Sequence, residues 1–297
     1  MSRREPDTAY IAYPQNTIRI IQSHEFQFLK KFGQNFLIDL HVLDKIVKAA
    51  DIQPDDVVIE IGPGIGSLTQ VVAEEAGRVI AVEIDKRLIP ILEQNLAAYR
   101  NVTLVQADFL KLDLPEFLKE QQVDRPIKVI ANLPYYITTP IIMMLFESGI
   151  PLESVTVMVQ EEVAERMQAG PGTKDYGALS LAVQYYAEAY IAAYVPQNCF
   201  MPRPGVGSAV IRLRRYAQPP VQVEDEKLLF GLIRAAFGQR RKTLVNSVSH
   251  DAALELDKET LLEALRQMDL SETIRGEALD LKQFAELTRI LQEARHG

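Results

Sequence analysis

Val57-Val58-Ile59-Glu60-Ile61-Gly62-Pro63-Gly64-Ile65-Gly66 runs from an apolar strand straight into a glycine-rich turn, and the architecture follows from it. Branched apolar residues in unbroken succession suit a strand buried on both faces. The glycines permit positive φ and let a ligand approach the backbone where a helix begins. Taken alone, such a loop suits NAD, FAD or S-adenosylmethionine equally.

On either side of the loop, apolar runs alternate with amphipathic ones as far as Gln160. Strands are predicted at 57–61, 79–84, 102–105, 128–132 and 155–159, with helices at 68–76, 86–98 and 140–146. This rhythm predicts right-handed crossovers and an α/β fold with a mostly parallel, doubly wound, Rossmann-like sheet. A helix at 178–187 precedes runs at 191–195 and 209–213 that can form an antiparallel pair at the sheet edge. After Gln218-Pro219-Pro220 no strand candidate remains, and 227–237, 258–267 and 281–294 carry helical spacing. Ser271 and Asp280 read as helix-start residues. The expected domains are a polar N-terminal extension over 1–26, a cofactor-binding domain over 27–217 and a small all-α domain over 218–297.

Glu83 closes the second predicted strand 21 residues after Gly62, where an acid binds ribose hydroxyls. Asp108 ends the third, where a carboxylate can accept a hydrogen bond from an adenine amino group. Either acid alone is as readily a solvated strand-end cap. The glycines run Gly-x-Gly-x-Gly, and Ser67 stands where the dinucleotide spacing needs a third glycine. Two acids at successive strand ends behind such a loop favour S-adenosylmethionine over a nicotinamide.

Asn132-Leu133-Pro134-Tyr135 follows the fourth predicted strand, at the edge where open α/β sheets bind ligands. In isolation the tetrapeptide is also an ordinary turn. It suits methylation of an exocyclic adenine amine, whose lone pair is delocalised into the ring. The Asn132 side-chain oxygen and the Pro134 carbonyl can accept both N–H bonds and free that lone pair. Tyr135 offers a stacking face worth roughly 1–3 kcal/mol.

The 297 residues, 47% of them hydrophobic, suffice for one large core or two domains. The single cysteine, Cys199, excludes an internal disulfide framework, argues for a reducing compartment and reads as a small buried apolar residue. No apolar run approaches the roughly 20 residues of a membrane helix. Arg3 and Arg4 are followed by Glu5 and Asp7 with no apolar segment behind them, so no signal peptide is expected and the location is expected to be cytoplasmic. His24, His41, His250 and His296 are scattered, and no metal is expected. A net charge of −8 does not advertise nucleic acid. Basic clusters nevertheless occur at Lys30-Lys31, at Arg212, Arg214 and Arg215, and at Arg240-Arg241-Lys242, each either solvated decoration or a phosphate contact.

From Phe32 to the C-terminus these motifs together resemble the ribosomal RNA adenine N6,N6-dimethyltransferases, in particular the bacterial small-subunit type. Gly33-Gln34-Asn35-Phe36-Leu37 resembles the family's N-terminal motif, which implies that Asn35 and Leu37 contact the cofactor. Glu60, Gly62 and Gly64 fall in the glycine motif, and Glu83, Asp108 and Asn132 at the ribose, adenine and methyl-transfer positions. Phe200-Met201-Pro202-Arg203-Pro204-Gly205-Val206-Gly207-Ser208 resembles Phe-x-Pro-x-Pro-x-Val-x-Ser, which implies that Phe200 faces the target base opposite Tyr135. Pro202 and Pro204 can hold Phe200 exposed, or Phe200 is a buried loop anchor. Gly205 and Gly207 stand where many relatives carry a larger polar residue. The run from Phe237 to Leu244 resembles the signature that opens the helical domain, implying RNA contacts from Arg240, Arg241 and Lys242.

The resemblance implies a monomeric enzyme using S-adenosylmethionine to dimethylate two adjacent adenosines in a hairpin loop near the 3′ end of 16S rRNA, within an assembling small subunit. Three rivals are a large-subunit adenine methyltransferase conferring antibiotic resistance, an RNA-binding assembly factor without transfer activity, and a nicotinamide oxidoreductase. The Phe200 and Arg240 motifs disfavour the first, the acid and Asn132 set the second, and the glycine spacing the third.

Overall fold

Aliphatic residues leave no polar face on the central strands, so the sheet must be covered on both sides. The computed structural model of the protein describes residues 10–26, 28, 33–239 and 241–296, the last through its backbone only. In chain order the elements are α1 (Pro14–Ser23), β1 (Phe36–Leu37), α2 (Leu40–Ala50), β2 (Val57–Ile61), α3 (Ser67–Ala73), β3 (Arg78–Glu83), α4 (Ile89–Asn95), β4 (Val102–Gln106), α5 (Leu114–Glu120), β5 (Ile127–Asn132), α6 (Thr138–Glu147) and β6 (Leu152–Gln160). There follow α7 (Glu161–Gln168), α8 (Ala178–Tyr186), β7 (Ala187–Val195), β8 (Phe200–Met201), β9 (Ser208–Arg215), α9 (Glu226–Gly238), α10 (Leu244–Val248), α11 (Lys258–Gln267) and α12 (Leu281–His296).

The main sheet has the order β4-β3-β2-β5-β6-β9-β7. Its first five strands are parallel, and β9 runs antiparallel to β6. The predicted edge runs are both strands: β9 lies inside β7, which forms the outer edge. Chain order reverses between β2 and β5, whose last paired residues are Ile61 and Ala131. The glycine turn after β2 and the Asn132 loop after β5 therefore start side by side, at the switch point where such sheets open a crevice.

By internal contacts the chain divides into two units, Met1–Ala164 with Tyr190–Arg215, and Glu165–Ala189 with Tyr216–Gly297. The sequence division near Ala217 separates strands from helices; by contact, Glu165–Ala189 groups with the later helices. In the first unit, Asp39 caps α2 by accepting from the His41 and Val42 amides. Val42, Leu43 and Ile46 of α2 join Val58, Val71 and Val72 in one buried cluster. Residues 10–26 are part of this unit rather than a loose polar extension. Tyr10, Ile11 and Ala12 are buried, the Ile11 amide donates to Gln70 Oε1 (2.9 Å), and the buried Thr17 hydroxyl of α1 donates to the Ile11 carbonyl (2.7 Å).

The second unit is helical around aromatic contacts. Tyr186 stacks on Phe230 with centroids 5.6 Å apart, and the Tyr185 hydroxyl donates to Glu226 (2.7 Å). Asp280 does start a helix: it accepts from the Gln283 amide (2.8 Å) while the Gln283 side chain accepts from the Asp280 amide (3.0 Å). Ser271 does not; its hydroxyl accepts from the Thr273 amide (3.3 Å) and closes a turn. Among the described residues, no helix is long and apolar enough to cross a membrane.

Candidate cofactor and target-base site

A cavity of about 260 Å³ opens at the switch point of the first unit. Its walls include the glycine turn, Glu83 at the end of β3, Asp108 just beyond β4, the Asn132–Ile137 loop, the 33–37 segment and Phe200. Every cofactor and target-base residue expected from the sequence therefore lines one space: Asn35, Leu37, Glu60, Gly62, Gly64, Glu83 and Asp108, and with them Asn132, Pro134, Tyr135 and Phe200.

The glycine turn is built as its composition requires. Gly62, Gly64 and Gly66 all have positive φ, at 69°, 63° and 95°. A Cβ on Gly64 would lie 3.0 Å from the Phe36 ring, whereas at Gly62 the space is open. Close approach to the Gly62 backbone is thus left to a ligand. Glu83 accepts from the Gly64 amide (3.2 Å) and the Asp85 amide (2.8 Å). Asp108 accepts from the Leu110 amide (3.2 Å), so it caps the short turn Phe109–Lys111 and lines the cavity at once.

Two carboxyl groups here are buried without an ion pair among the described residues. Burial pushes Glu60 up to about 8, with the neighbouring charge of Glu83 adding to the effect. Burial likewise raises Glu83 to about 7, opposed by its backbone hydrogen bonds. Glu60 is 1% exposed, and its Oε2 has no hydrogen-bond partner among the described residues. Burying a carboxyl oxygen without a partner is costly, and a cationic ligand relieves that cost.

The target end is tied to the cofactor end through the 33–37 segment. Asn132 Nδ2 donates to the Asn35 carbonyl (2.9 Å). Because a carbonyl only accepts, this contact fixes the amide and leaves Asn132 Oδ1 as an acceptor. Gln34 donates to the buried Asp85 (2.9 Å), joining the same segment to the loop after β3. In the two-stranded ladder of β1 and β8, Leu37 faces Phe200.

One expectation is corrected, and one choice left open is decided. The Pro134 carbonyl accepts from the Ile137 amide (3.1 Å) and the Thr138 hydroxyl (3.4 Å), so its lone pairs already close the turn. The Leu133 carbonyl one residue earlier accepts no hydrogen bond among the described residues, and Leu133 lines the cavity. Of the two readings left open for Phe200 the buried anchor holds: it is 3% exposed, pairs with Leu37 and forms part of the wall. Tyr135 is half-buried, and its hydroxyl hydrogen-bonds the Ser208 hydroxyl (3.1 Å), which fixes the ring.

Sequence reasoning missed Ile84, Leu110 and Tyr136. All three line the cavity with large exposed apolar surface. Ile84 follows Glu83 and Leu110 stands two residues after Asp108, and an apolar residue close behind such an acid was the available signal. Acceptors for hydroxyls and an amine, apolar walls and buried carboxyls that a cation would ionise together fit an adenosine carrying a cationic tail. S-adenosylmethionine has that form.

Arg241 and Lys242 lie exposed in the second unit. Arg240, like Lys30, Lys31 and Phe32, lies outside the described residues.

The sequence model of ribosomal RNA adenine dimethylases matches residues 25–286. The chain belongs to that family. This dimethylase is 59% identical over 286 residues to ribosomal RNA small subunit methyltransferase A of Lachnoclostridium phytofermentans, covering 96% of this chain and 99% of the relative. The Streptococcus gordonii protein of the same name is 51% identical, over 93% of this chain and 96% of its own. Among solved structures, a dimethyladenosine transferase from Plasmodium falciparum matches with TM-score 0.74 and 26% identity, over 87% of this chain and 98% of that one. The 23S rRNA methyltransferase ErmE matches with TM-score 0.65 and 27% identity, over 87% and 100%. The fold is the Rossmann-like methyltransferase sheet, and the methyl donor of the dimethylase is S-adenosylmethionine.

Proposed function

We propose that this dimethylase transfers methyl groups to N6 of two adjacent adenosines in a hairpin loop near the 3′ end of 16S rRNA, acting as a monomer in the cytoplasm on an assembling small subunit. The observation that carries the proposal is the Asn132 amide, whose nitrogen is held by Asn35 and whose oxygen is left to accept from an amine. Glu83 and Asp108 hold the ribose and the adenine of the donor, with Ile84 and Leu110 against its ring, and Glu60 supplies a buried carboxyl that the donor's positive charge would ionise. When bound, S-adenosylmethionine supplies an electrophilic methyl group on a sulfonium sulfur.

The target adenosine turns out of its stack into the cavity. Tyr135 stacks on it, Phe200 forms the apolar wall, and Asn132 Oδ1 with the Leu133 carbonyl accepts from N6. Holding both N–H bonds orients the amine and frees its lone pair, so most of the acceleration comes from positioning. The methylated amine is cationic and loses its proton to water. Arg241 and Lys242 of the helical unit contact RNA phosphates, with Arg240 assigned to them from the sequence. Flipped, single-stranded bases in a shaped loop are the usual target of sequence-specific RNA recognition.

The test is methyl transfer from labelled donor to undermethylated small subunits, with mass analysis of the product nucleosides and primer extension on both ribosomal RNAs. Dimethyladenosine at two adjacent small-subunit positions is expected. Transfer confined to large-subunit RNA, or none at all, overturns the proposal.

A further inference from the structure

Tyr136 stands at the cavity with 61% of its surface exposed. It makes no hydrogen bond among the described residues, so the ring is not kept there by a polar partner. It is positioned nonetheless: a Cβ on Gly33 would lie 3.7 Å from its Cε1, placing the ring edge against the Gly33 backbone. Tyr135 and Tyr136 are successive residues of the 3₁₀ turn Tyr135–Ile137. With about three residues per turn, neighbouring side chains diverge by about 120° and cannot share a face. Tyr135 is tied inward to Ser208, and Tyr136 is consequently presented outward.

A base turned out of its stack leaves the next base with an uncovered face, and unstacking costs energy. An exposed tyrosine one residue beyond the target-holding loop offers a replacement surface. We propose that Tyr136 is the stacking platform for the nucleotide adjacent to the one held in the cavity. This inference rests on the function proposed above and assigns the neighbour's position within it. The two places differ in what they require. Asn132 Oδ1 needs an N–H on the base, which a dimethylated N6 no longer has. Stacking on Tyr136 needs only a flat ring, and it accepts an adenine before or after modification. A finished base is therefore released from the cavity yet still held on the platform while its neighbour enters.

Steady-state kinetics on undermethylated small subunits, with Tyr136→Ala and Tyr136→Phe, test the platform alongside calorimetry of S-adenosylmethionine. Tyr136→Ala is expected to raise KM for the subunit roughly 5- to 140-fold, the equivalent of a 1–3 kcal/mol stacking contribution, with a smaller change in kcat. Tyr136→Phe restores the wild-type KM, because the hydroxyl is not used. Donor affinity stays at the wild-type value in both variants. An unchanged KM in Tyr136→Ala, a loss confined to kcat, or a parallel loss of donor affinity overturns the proposal. Should Tyr136→Ala fail to fold, 2-aminopurine placed beside the target in RNA bound to the wild-type enzyme gives the second readout. Quenched fluorescence supports stacking, and undiminished fluorescence overturns it. A wild-type enzyme inactive on small subunits refutes the function itself, whereas an active one indifferent to Tyr136→Ala refutes only the platform.

Discussion

Replacing Glu60 by Gln keeps the shape of a side chain that is 1% exposed and removes its charge. The carboxyl titrates near 4.5 in the unfolded chain and at about 8 in the folded one. Between those values the folded state holds a proton that the unfolded state has shed. Its contribution to stability is therefore complete below pH 4.5 and lost as pH rises to 8. At 1.36 kcal/mol per unit, the loss across the window is about 5 kcal/mol, of which about 3 kcal/mol is gone by pH 7. Glu60→Gln escapes this loss. At about 2–4 °C per kcal/mol for a unit of this size, the variant should melt about 6–12 °C above wild type at pH 7, and the two should converge toward pH 5. The same change removes a carboxyl that the cationic donor would ionise, so S-adenosylmethionine binding should weaken, the more so as pH rises toward 8. Circular-dichroism melts at pH 5, 6, 7 and 8, with calorimetry at pH 7, read both effects. Melting curves that stay parallel across the range, or a variant that binds the donor as tightly as wild type, refute the reasoning.

Three further outcomes follow from the site. Asn132→Ala should lower methyl transfer at least a hundredfold while leaving donor affinity within a few-fold, since it removes the N6 acceptor and not the donor contacts; single-turnover rates and calorimetry separate the two, and full activity would exclude the assigned role. Gly64→Ala puts a Cβ 3.0 Å from the Phe36 ring at φ 63°, and strain of about 1–2 kcal/mol should appear as a lower melting temperature together with weaker donor binding. Charge-neutral replacement of Arg241 and Lys242 should reduce RNA affinity and flatten its salt dependence by about 0.7–0.9 per lost phosphate contact in the log–log slope. An unchanged slope in filter binding would return both side chains to surface decoration.

The doubly wound sheet is legible in the sequence because its strands are apolar on both faces, and the glycine turn marks the switch point directly. The acids Glu83 and Asp108 are legible because strand ends in such sheets meet the ligand. What is not legible depends on distant chain segments. Phe200 is buried because it pairs with Leu37 across the sequence, and no local feature of its proline-rich loop reveals that partner. The Pro134 carbonyl looks free until the Ile137 amide and Thr138 hydroxyl turn back onto it. Residues 10–26 read as an extension because their apolar residues, Ile11, Ile20, Ile21 and Phe26 among them, lie outside the strand–helix rhythm. Their partners are distant in sequence: Ile11 bonds Gln70, and Ile11 and Phe26 join Phe36, Ile65 and Leu92 in a buried cluster. The helix α10 spans only Leu244–Val248, too short for a helical period to register.

Segment 33–37 joins both ends of the cavity: its Asn35 carbonyl grips Asn132, its Gln34 grips Asp85, and its Leu37 faces Phe200. Donor seat and acceptor seat are thus hinged on the same five residues. A small molecule wedged beneath this segment would disable both at one stroke. Escape by mutating one side of the wedge would forfeit the ladder that builds the other.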